Sequence, residues 1–279
     1  MPIKELLSEG KRIIDRALND YLPKKGKLAA AMRYSVFAGG KRFRPILCLA
    51  TAEALGKDPG KIIPIACAIE MLHTYTLIHD DLPAMDNSDY RRGKLTSHLK
   101  FDEATAILAG DALNTLAFWI LAQETQNPRV IQEIGKSLME VVYGQAADLA
   151  AEGKKLSFAA LKSLHHQKTA ALLIACVRAS AIQLKSSPKQ LKALSDYGRH
   201  LGLAFQIMDD ILDVTATQKE LGKPAGADVK KGFPYFIGLE KSKKIAEQEK
   251  NSALAALNVF DKRADILRKI AEYVVERKK

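Results

Sequence analysis

Cysteine is scarce: the chain has three, Cys48, Cys67 and Cys176, far apart and without the spacing of a metal site or a disulfide framework. They read as reduced core residues of a cytoplasmic protein. No run of alternating polar and apolar residues marks a strand-based fold. The opening MPIKELLSEGKRIIDRAL is amphipathic and carries acids, so it is not read as a secretory signal. The most apolar stretches, 104–122 and 170–184, are interrupted by Asp111 and Arg178, and neither makes a convincing membrane span. Domain linkers, low-complexity tracts and repeats of solenoid period are also missing.

What is present is helical periodicity. It predicts helices over about 3–20, 27–38, 43–56, 61–80, 101–125, 128–151, 157–183, 188–213, 235–258 and 261–277. The breaks fall at Gly39-Gly40, Lys57-Asp58-Pro59-Gly60, Arg92-Gly93, Asn127-Pro128, Gly153, Ser187-Pro188 and 222–234, where turn chemistry places them. Many of these segments are too apolar to be surface ribbons and should share one core. The expected fold class is all-α, a single large helical domain over 1–279, long enough to bury a substantial core.

A formal charge of +11 favours anionic partners: nucleic acid, membrane headgroups or phosphorylated metabolites. Two acidic clusters narrow the choice. Asp80-Asp81-Leu82-Pro83-Ala84-Met85-Asp86 follows an apolar helix, and Asp209-Asp210-Ile211-Leu212-Asp213 ends another. Acids at the ends of buried helices are costly unless paired or bound to cations, and carboxylate oxygens suit hard divalent cations such as Mg²⁺. Asp209 and Asp213 share a helix face. Asp80 and Asp86 do not, being about 240° apart on an ideal helix, so the intervening residues must bulge out, and Pro83 is suited to disrupting the helix there.

Basic residues sit beside these acids. Asp89-Tyr90-Arg91-Arg92-Gly93-Lys94 follows the first cluster at once, a combination of cations and guanidinium forks that suits a diphosphate. A second set, Gly39-Gly40-Lys41-Arg42-Phe43-Arg44-Pro45, is not a P-loop, because GxxxxGK[ST] is absent and no strand precedes it. Taken alone it reads as a helix-ending turn with solvated cations. His73 lies two helical turns before Asp80 on nearly the same face. Gln167-Lys168-Thr169 opens an apolar helix, Gln206 precedes Asp209 by one turn, and Lys223 could close over the site. Lys and Arg clustered beside aspartates would repel a nucleic-acid backbone unless metal intervened, so no nucleic-acid partner is expected.

The segments GGKRFRP (39–45), LIHDDLPAMDNSDYRRG (77–93), HHQKTAAL (165–172) and FQIMDDILDVT (205–215) resemble, in order and spacing, the trans-isoprenyl diphosphate synthases, most closely bacterial makers of farnesyl diphosphate. ILAGDALNTLAFWIL (107–121) and YGQAADLAAEGK (143–154) extend the likeness. The resemblance implies a bundle of about ten mostly antiparallel helices around a central cavity, assembled as a homodimer without membrane insertion. It implies Mg²⁺-dependent head-to-tail condensation of isopentenyl diphosphate with dimethylallyl or geranyl diphosphate. By the same likeness Asp80, Asp86 and Asp209 hold three Mg²⁺ ions, with Mn²⁺ able to substitute, while Asp81, Asp210 and Asp213 stand behind them or act through water. Arg91, Lys168, Thr169, Gln206 and Lys223 would contact the allylic diphosphate, and Lys41, Arg44, His73 and Arg92 the isopentenyl diphosphate. Catalysis would rest on Asp80, Asp86, Arg91, Lys168, Asp209 and Lys223.

The likeness has one departure and one implication for product length. The stretch from Gly226-Ala227-Asp228 to Pro234 is shorter than in related enzymes, leaving open whether Lys230 or Lys231 supplies a second flap lysine. By the resemblance, Tyr75, about 7.5 Å before Asp80 along the helix, is the expected floor for the growing chain, although Thr76 is closer in helical phase. Synthases of geranyl or geranylgeranyl diphosphate, a non-catalytic subunit of a heteromeric synthase and a terpene cyclase are the alternatives. All six motif aspartates are present, against the subunit reading, and a cyclase does not need the pocket suggested by Lys41, Arg44 and Arg92.

Overall fold

The periodic segments fold as helices in the computed structural model, which describes residues 2–151, 157–215 and 232–277. In chain order these are α1 (Ile3–Tyr21), α2 (Lys27–Val36), α3 (Phe43–Ala54), α4 (Ile63–Asp80), the short α5 (Ser97–Lys100), α6 (Glu103–Thr125) and α7 (Pro128–Ala150). There follow α8 (Phe158–His165), α9 (Ala171–Gln183), α10 (Pro188–Thr215), the short α11 (Phe233–Ile237), α12 (Leu239–Ala256) and α13 (Asp265–Glu276). Among the described residues the sheet content is one hairpin, β1 (Tyr90–Arg91) with β2 (Lys94–Leu95), turned at Arg92-Gly93. The chain is all-α, as expected.

Local chemistry sets the helix ends. Asp102 accepts the Thr105 N–H at 2.7 Å to cap α6, and Asn127 accepts the Arg129 N–H ahead of Pro128 to cap α7. Such side chains satisfy N–H groups that the first helical turn leaves without partners, and proline is tolerated there because it has none to satisfy. The amphipathic α1 buries Leu6, Leu7, Gly10, Ile14 and Leu18 at helical spacing. A side chain at Gly10 would come within 2.8 Å of Ile46, so α1 lies tight against α3. Full burial of side chains such as Ile14 and Leu47 stabilises the fold by roughly 1.5–3 kcal/mol each.

The central helices are apolar on every side. Helix α4 buries Ile65, Ile69, Met71 and Leu72, and α9 buries Leu173 and Val177. Pro59–Asp80 and Glu103–Thr125 are long and apolar enough to cross a membrane, but α4 and α6 pack against each other within the bundle. One buried cluster runs from Leu6 to Val274, and a smaller one gathers Ile207, Met208, Ile211 and Phe233. All three cysteines are buried and free.

Two expected boundaries are corrected. The helix foreseen over 157–183 is divided by a π-helical turn, His166–Ala170. The helix foreseen over 235–258 starts at Leu239, because Gly238, at φ +81°, separates it from α11.

Candidate active site

The acidic end of α4 does what Pro83 suggested. The helix stops at Asp80, the Met85 and Asn87 N–H groups donate to the Leu82 carbonyl, and the Asp86 N–H returns to the Asp80 carbonyl at 2.8 Å. The intervening residues loop out and Asp86 comes back beside Asp80. Burial pushes the Asp80 carboxyl up to about 6; Asp86 and Asp81 add to the shift, and Lys168 and Arg91 oppose it. Asp81 is buried and accepts Arg91 through both oxygens, with Nε at 2.8 Å from each and Nη2 at 2.6 Å from Oδ1. Burial raises the Asp81 carboxyl against the opposing bonds from Arg91.

The facing wall is built on the π-helical turn. Thr169 donates to Gln206 Oε1 at 2.6 Å, and Gln206 Nε2 donates to Asp210 Oδ1 at 2.8 Å. The other Asp210 oxygen accepts the Phe233 N–H at 2.9 Å, with His165 Nε2 3.3 Å away. Asp210 thus ties α10 to the start of α11. Lys168 Nζ donates to Asp148 at 2.7 Å; burial works against its charge, but Asp148, Asp80 and Asp86 outweigh it and hold the ammonium above its usual value. Glycines admit the turn. A Cβ at Gly144 would stand 2.6 Å from the Lys168 nitrogen, and one at Gly202 2.6 Å from Ala170 Cβ. Asp209 accepts Arg277 Nη2 at 2.7 Å, with the Arg277 guanidinium 4.0 Å over the Phe205 ring. Asp213 sits one turn further along α10, half-buried.

The second basic set is not a solvated turn. Gly39 and Gly40 adopt φ +127° and +95°, and a Cβ at Gly40 would meet the Arg92 guanidinium at 2.8 Å. Arg92 donates to the Gly39 carbonyl at 3.0 Å. Arg42 is fully buried, and the Arg44 Nε is buried without a partner. Arg44 Nη1 lies 3.3 Å from His73 Nε2. Burial, then Arg44, Arg92, Arg91 and Arg42, hold His73 well below the usual histidine value, so the ring is neutral and accepts from Arg44. Lys41, Arg44, His73, Arg91 and Arg92 line one cavity of about 320 Å³, together with Asp209, Phe205, Tyr273 and Arg277.

A second cavity of about 370 Å³ adjoins it. Asp80, Lys168, Thr169, Arg44, His73, His79 and Gln145 supply polar groups to its wall, and Tyr75, Leu77, Met85, Val141, Val142, Ala146, Leu149 and Leu172 make the apolar part beside Thr76. The two cavities share Arg44, His73, Leu77 and Thr169. Both Tyr75 and Thr76 line the apolar one, whatever their difference in helical phase. Arg42, Glu70, Gln145, Asp148, Tyr273 and Arg277 were not foreseen as site residues; Gln145 and Asp148 fall in a stretch already marked by its likeness. Lys223, Lys230 and Lys231 lie outside the described residues.

Among the described residues no three acidic, His or Cys side chains stand close enough to enclose a cation unaided. The donors at Asp80 and Asp86 are nonetheless carboxylate oxygens, and Asp80 is raised by burial and then by Asp86, an arrangement that a hard cation with further oxygen ligands would relieve.

A profile of the polyprenyl synthetase family matches residues 25–274. A farnesyl diphosphate synthase of Geobacillus stearothermophilus is 44% identical, with 87% of each chain covered. A geranylgeranyl diphosphate synthase of Cyanophora paradoxa is 42% identical over 97% of this chain and 95% of its own. Among solved structures, a polyprenyl synthase of Caulobacter crescentus, complexed with calcium and isoprenyl diphosphate, superposes with a TM-score of 0.91 at 27% identity, covering 99% of this chain and 97% of the other.

Proposed function

The chain belongs to the polyprenyl synthetase family, and from that premise we propose that it condenses isopentenyl diphosphate with dimethylallyl and then geranyl diphosphate to release farnesyl diphosphate and pyrophosphate. The observation that carries this reading is the junction of a cationic cavity with an apolar one at Arg44, His73, Leu77 and Thr169. A diphosphate fits the first, an isoprenoid tail fits the second, and the reacting carbons belong where they meet.

Asp80 and Asp86 on one wall and Asp209 on the other are the residues to hold Mg²⁺, or Mn²⁺ in its place. Bound there, the cations would supply charge neutralisation to the departing pyrophosphate. Lys168, Arg91 and Thr169 bind and orient the allylic diphosphate; Gln206 holds the Thr169 hydroxyl at 2.6 Å. Lys41, Arg44 and Arg92 hold isopentenyl diphosphate, whose double bond attacks the allylic carbon as its C–O bond breaks. The proton is then lost to the released pyrophosphate. Preorganised cations act most strongly where water is excluded, and the apolar side chains between Tyr75 and Leu172 suit the isoprenoid tail in that setting.

Relatives carrying farnesyl and geranylgeranyl names support the chemistry equally, and the bulk of Tyr75 in the cavity wall favours the shorter product. We further assign the chain to one polyprenyl synthetase domain, as a cytoplasmic homodimer. The test is pyrophosphate release by purified protein with each allylic starter, with and without isopentenyl diphosphate, and product sizing by mass spectrometry. Release that requires both substrates and a C15 product support the reading. Release from the allylic substrate alone, or none in the presence of Mg²⁺, overturns it.

A further inference from the structure

We propose that Arg42, clamped between Asp15 and Glu70, is a positioning residue that sets Lys41 and Arg44 for isopentenyl diphosphate; this rests on the function proposed above. The Arg42 side chain is 0% exposed. Its Nε donates to Asp15 Oδ1 at 2.7 Å, its Nη1 to Glu70 Oε1 at 2.9 Å and to the Gly39 carbonyl at 3.0 Å, and its Nη2 to the Val36 carbonyl at 2.7 Å. One guanidinium therefore joins the end of α2, the glycine turn, α1 and α4.

The backbone explains why such a clamp is needed. Arg42 itself has φ +52°, a left-handed conformation that is uncommon outside glycine, and it follows two further positive-φ residues. The turn throws Lys41 and Arg44 toward the cavity while Arg42 points into the protein. A buried guanidinium is strongly unfavourable unless paired, and here two carboxylates take its charge. Six cations, Lys41, Arg42, Arg44, Arg91, Arg92 and Arg277, line this cavity, and Arg277 is paired with Asp209. Arg42 is neutralised by the protein, and Arg91 is held by Asp81. Arg44 differs from both: its Nε is buried without a hydrogen-bond partner and its Nη1 reaches the neutral His73 ring. Asp15 makes α1, an element outside all of the motifs, a strut of the site.

The experiment uses the full chain with Arg42→Lys and, as the milder change, Asp15→Asn, whose parent carboxylate is 29% exposed. Melting temperature and circular dichroism establish folding, and steady-state kinetics are run with each substrate varied. The expected result is a KM for isopentenyl diphosphate raised about tenfold or more, with allylic KM and kcat within about threefold. Equal changes in both KM values, or a lowered melting temperature with neither KM moved, overturn the proposal, since a merely structural clamp would act that way. If Arg42→Lys does not fold, Asp15→Asn decides. Calorimetric binding of isopentenyl diphosphate separates this proposal from the function itself. Binding without turnover by the parent protein defeats the function but leaves the Asp15→Asn affinity ratio as the test here, whereas a parent that does not bind defeats both.

Discussion

Asp80 shows how a single buried carboxyl links folding to cation binding. Its pKa of about 6 lies above the ordinary 3.8, with burial the first cause. The fold therefore favours the protonated form, and the stability this group contributes is full below about pH 4 and lost as pH rises through about 6. A cation needs the ionised form, so affinity for Mg²⁺ with pyrophosphate should weaken below about pH 6 by up to tenfold per pH unit. Calorimetric titrations at several pH values check this. Asp80→Asn should abolish that slope and lower turnover by about a hundredfold or more. It should also raise the melting temperature of the cation-free protein above about pH 6 and leave it unchanged near pH 4; an equal gain at both would assign the effect to something other than charge.

Tyr75 is a test of product length at the same scale. Its ring meets His79 edge-on at 5.3 Å and lines the apolar cavity beside Thr76, whose hydroxyl is already bonded to the His73 carbonyl at 2.8 Å. Removing the ring enlarges the cavity without touching a charged group. Tyr75→Ala should shift the product beyond C15, read by mass spectrometry, while the first condensation proceeds within about threefold of the parent rate. An active variant that still stops at C15 would move the floor elsewhere.

Among the elements, the π-helical turn carries the most function for its length. It places Lys168 and Thr169 on one wall and exists where α7 and α10 approach closely at Gly144 and Gly202. A Cβ at Gly144 would strike the Lys168 backbone, which has no flexible end to move aside. Gly144→Ala should therefore lower stability by about 1–3 kcal/mol, seen in chemical denaturation, and raise the allylic KM more than that for isopentenyl diphosphate. Equal KM changes would show that the turn does not set the allylic site. The looped acids were legible because proline and impossible helical phase coincide at Pro83. The π turn was not, because apolar periodicity runs on through 157–183 and a widened turn adds no residue type of its own. Arg42 was illegible for a related reason: a basic residue after two glycines looks solvated until the carboxylates of Asp15 and Glu70, from distant helices, are brought to it. Arg277 had no motif around it, and only the folded chain sets it on Asp209.

At the scale of the whole molecule, the outer faces of α6 and α7 are unfinished. Trp119 is 66% exposed, Tyr143 61%, Leu108 55% and Met139 51%, and the two helices are in contact. Leu108 and Trp119 fall on one stripe of α6 by helical phase, and Met139 and Tyr143 on one stripe of α7. Val142 joins this surface to the chemistry: it is 45% exposed and also lines the apolar cavity. A second copy covering the surface would seal that wall, and sealing matters because water in the cavity would capture an allylic cation. Light scattering should accordingly give a mass about twice the 30.7 kDa chain. Trp119→Glu with Tyr143→Glu should yield monomer, because a carboxylate buried without a partner is strongly unfavourable in an interface. The monomer should keep its helical circular dichroism yet release more dimethylallyl or geranyl alcohol per pyrophosphate as water enters. A monomer with unchanged product partition would confine the interface to assembly and separate it from the sealing of the cavity.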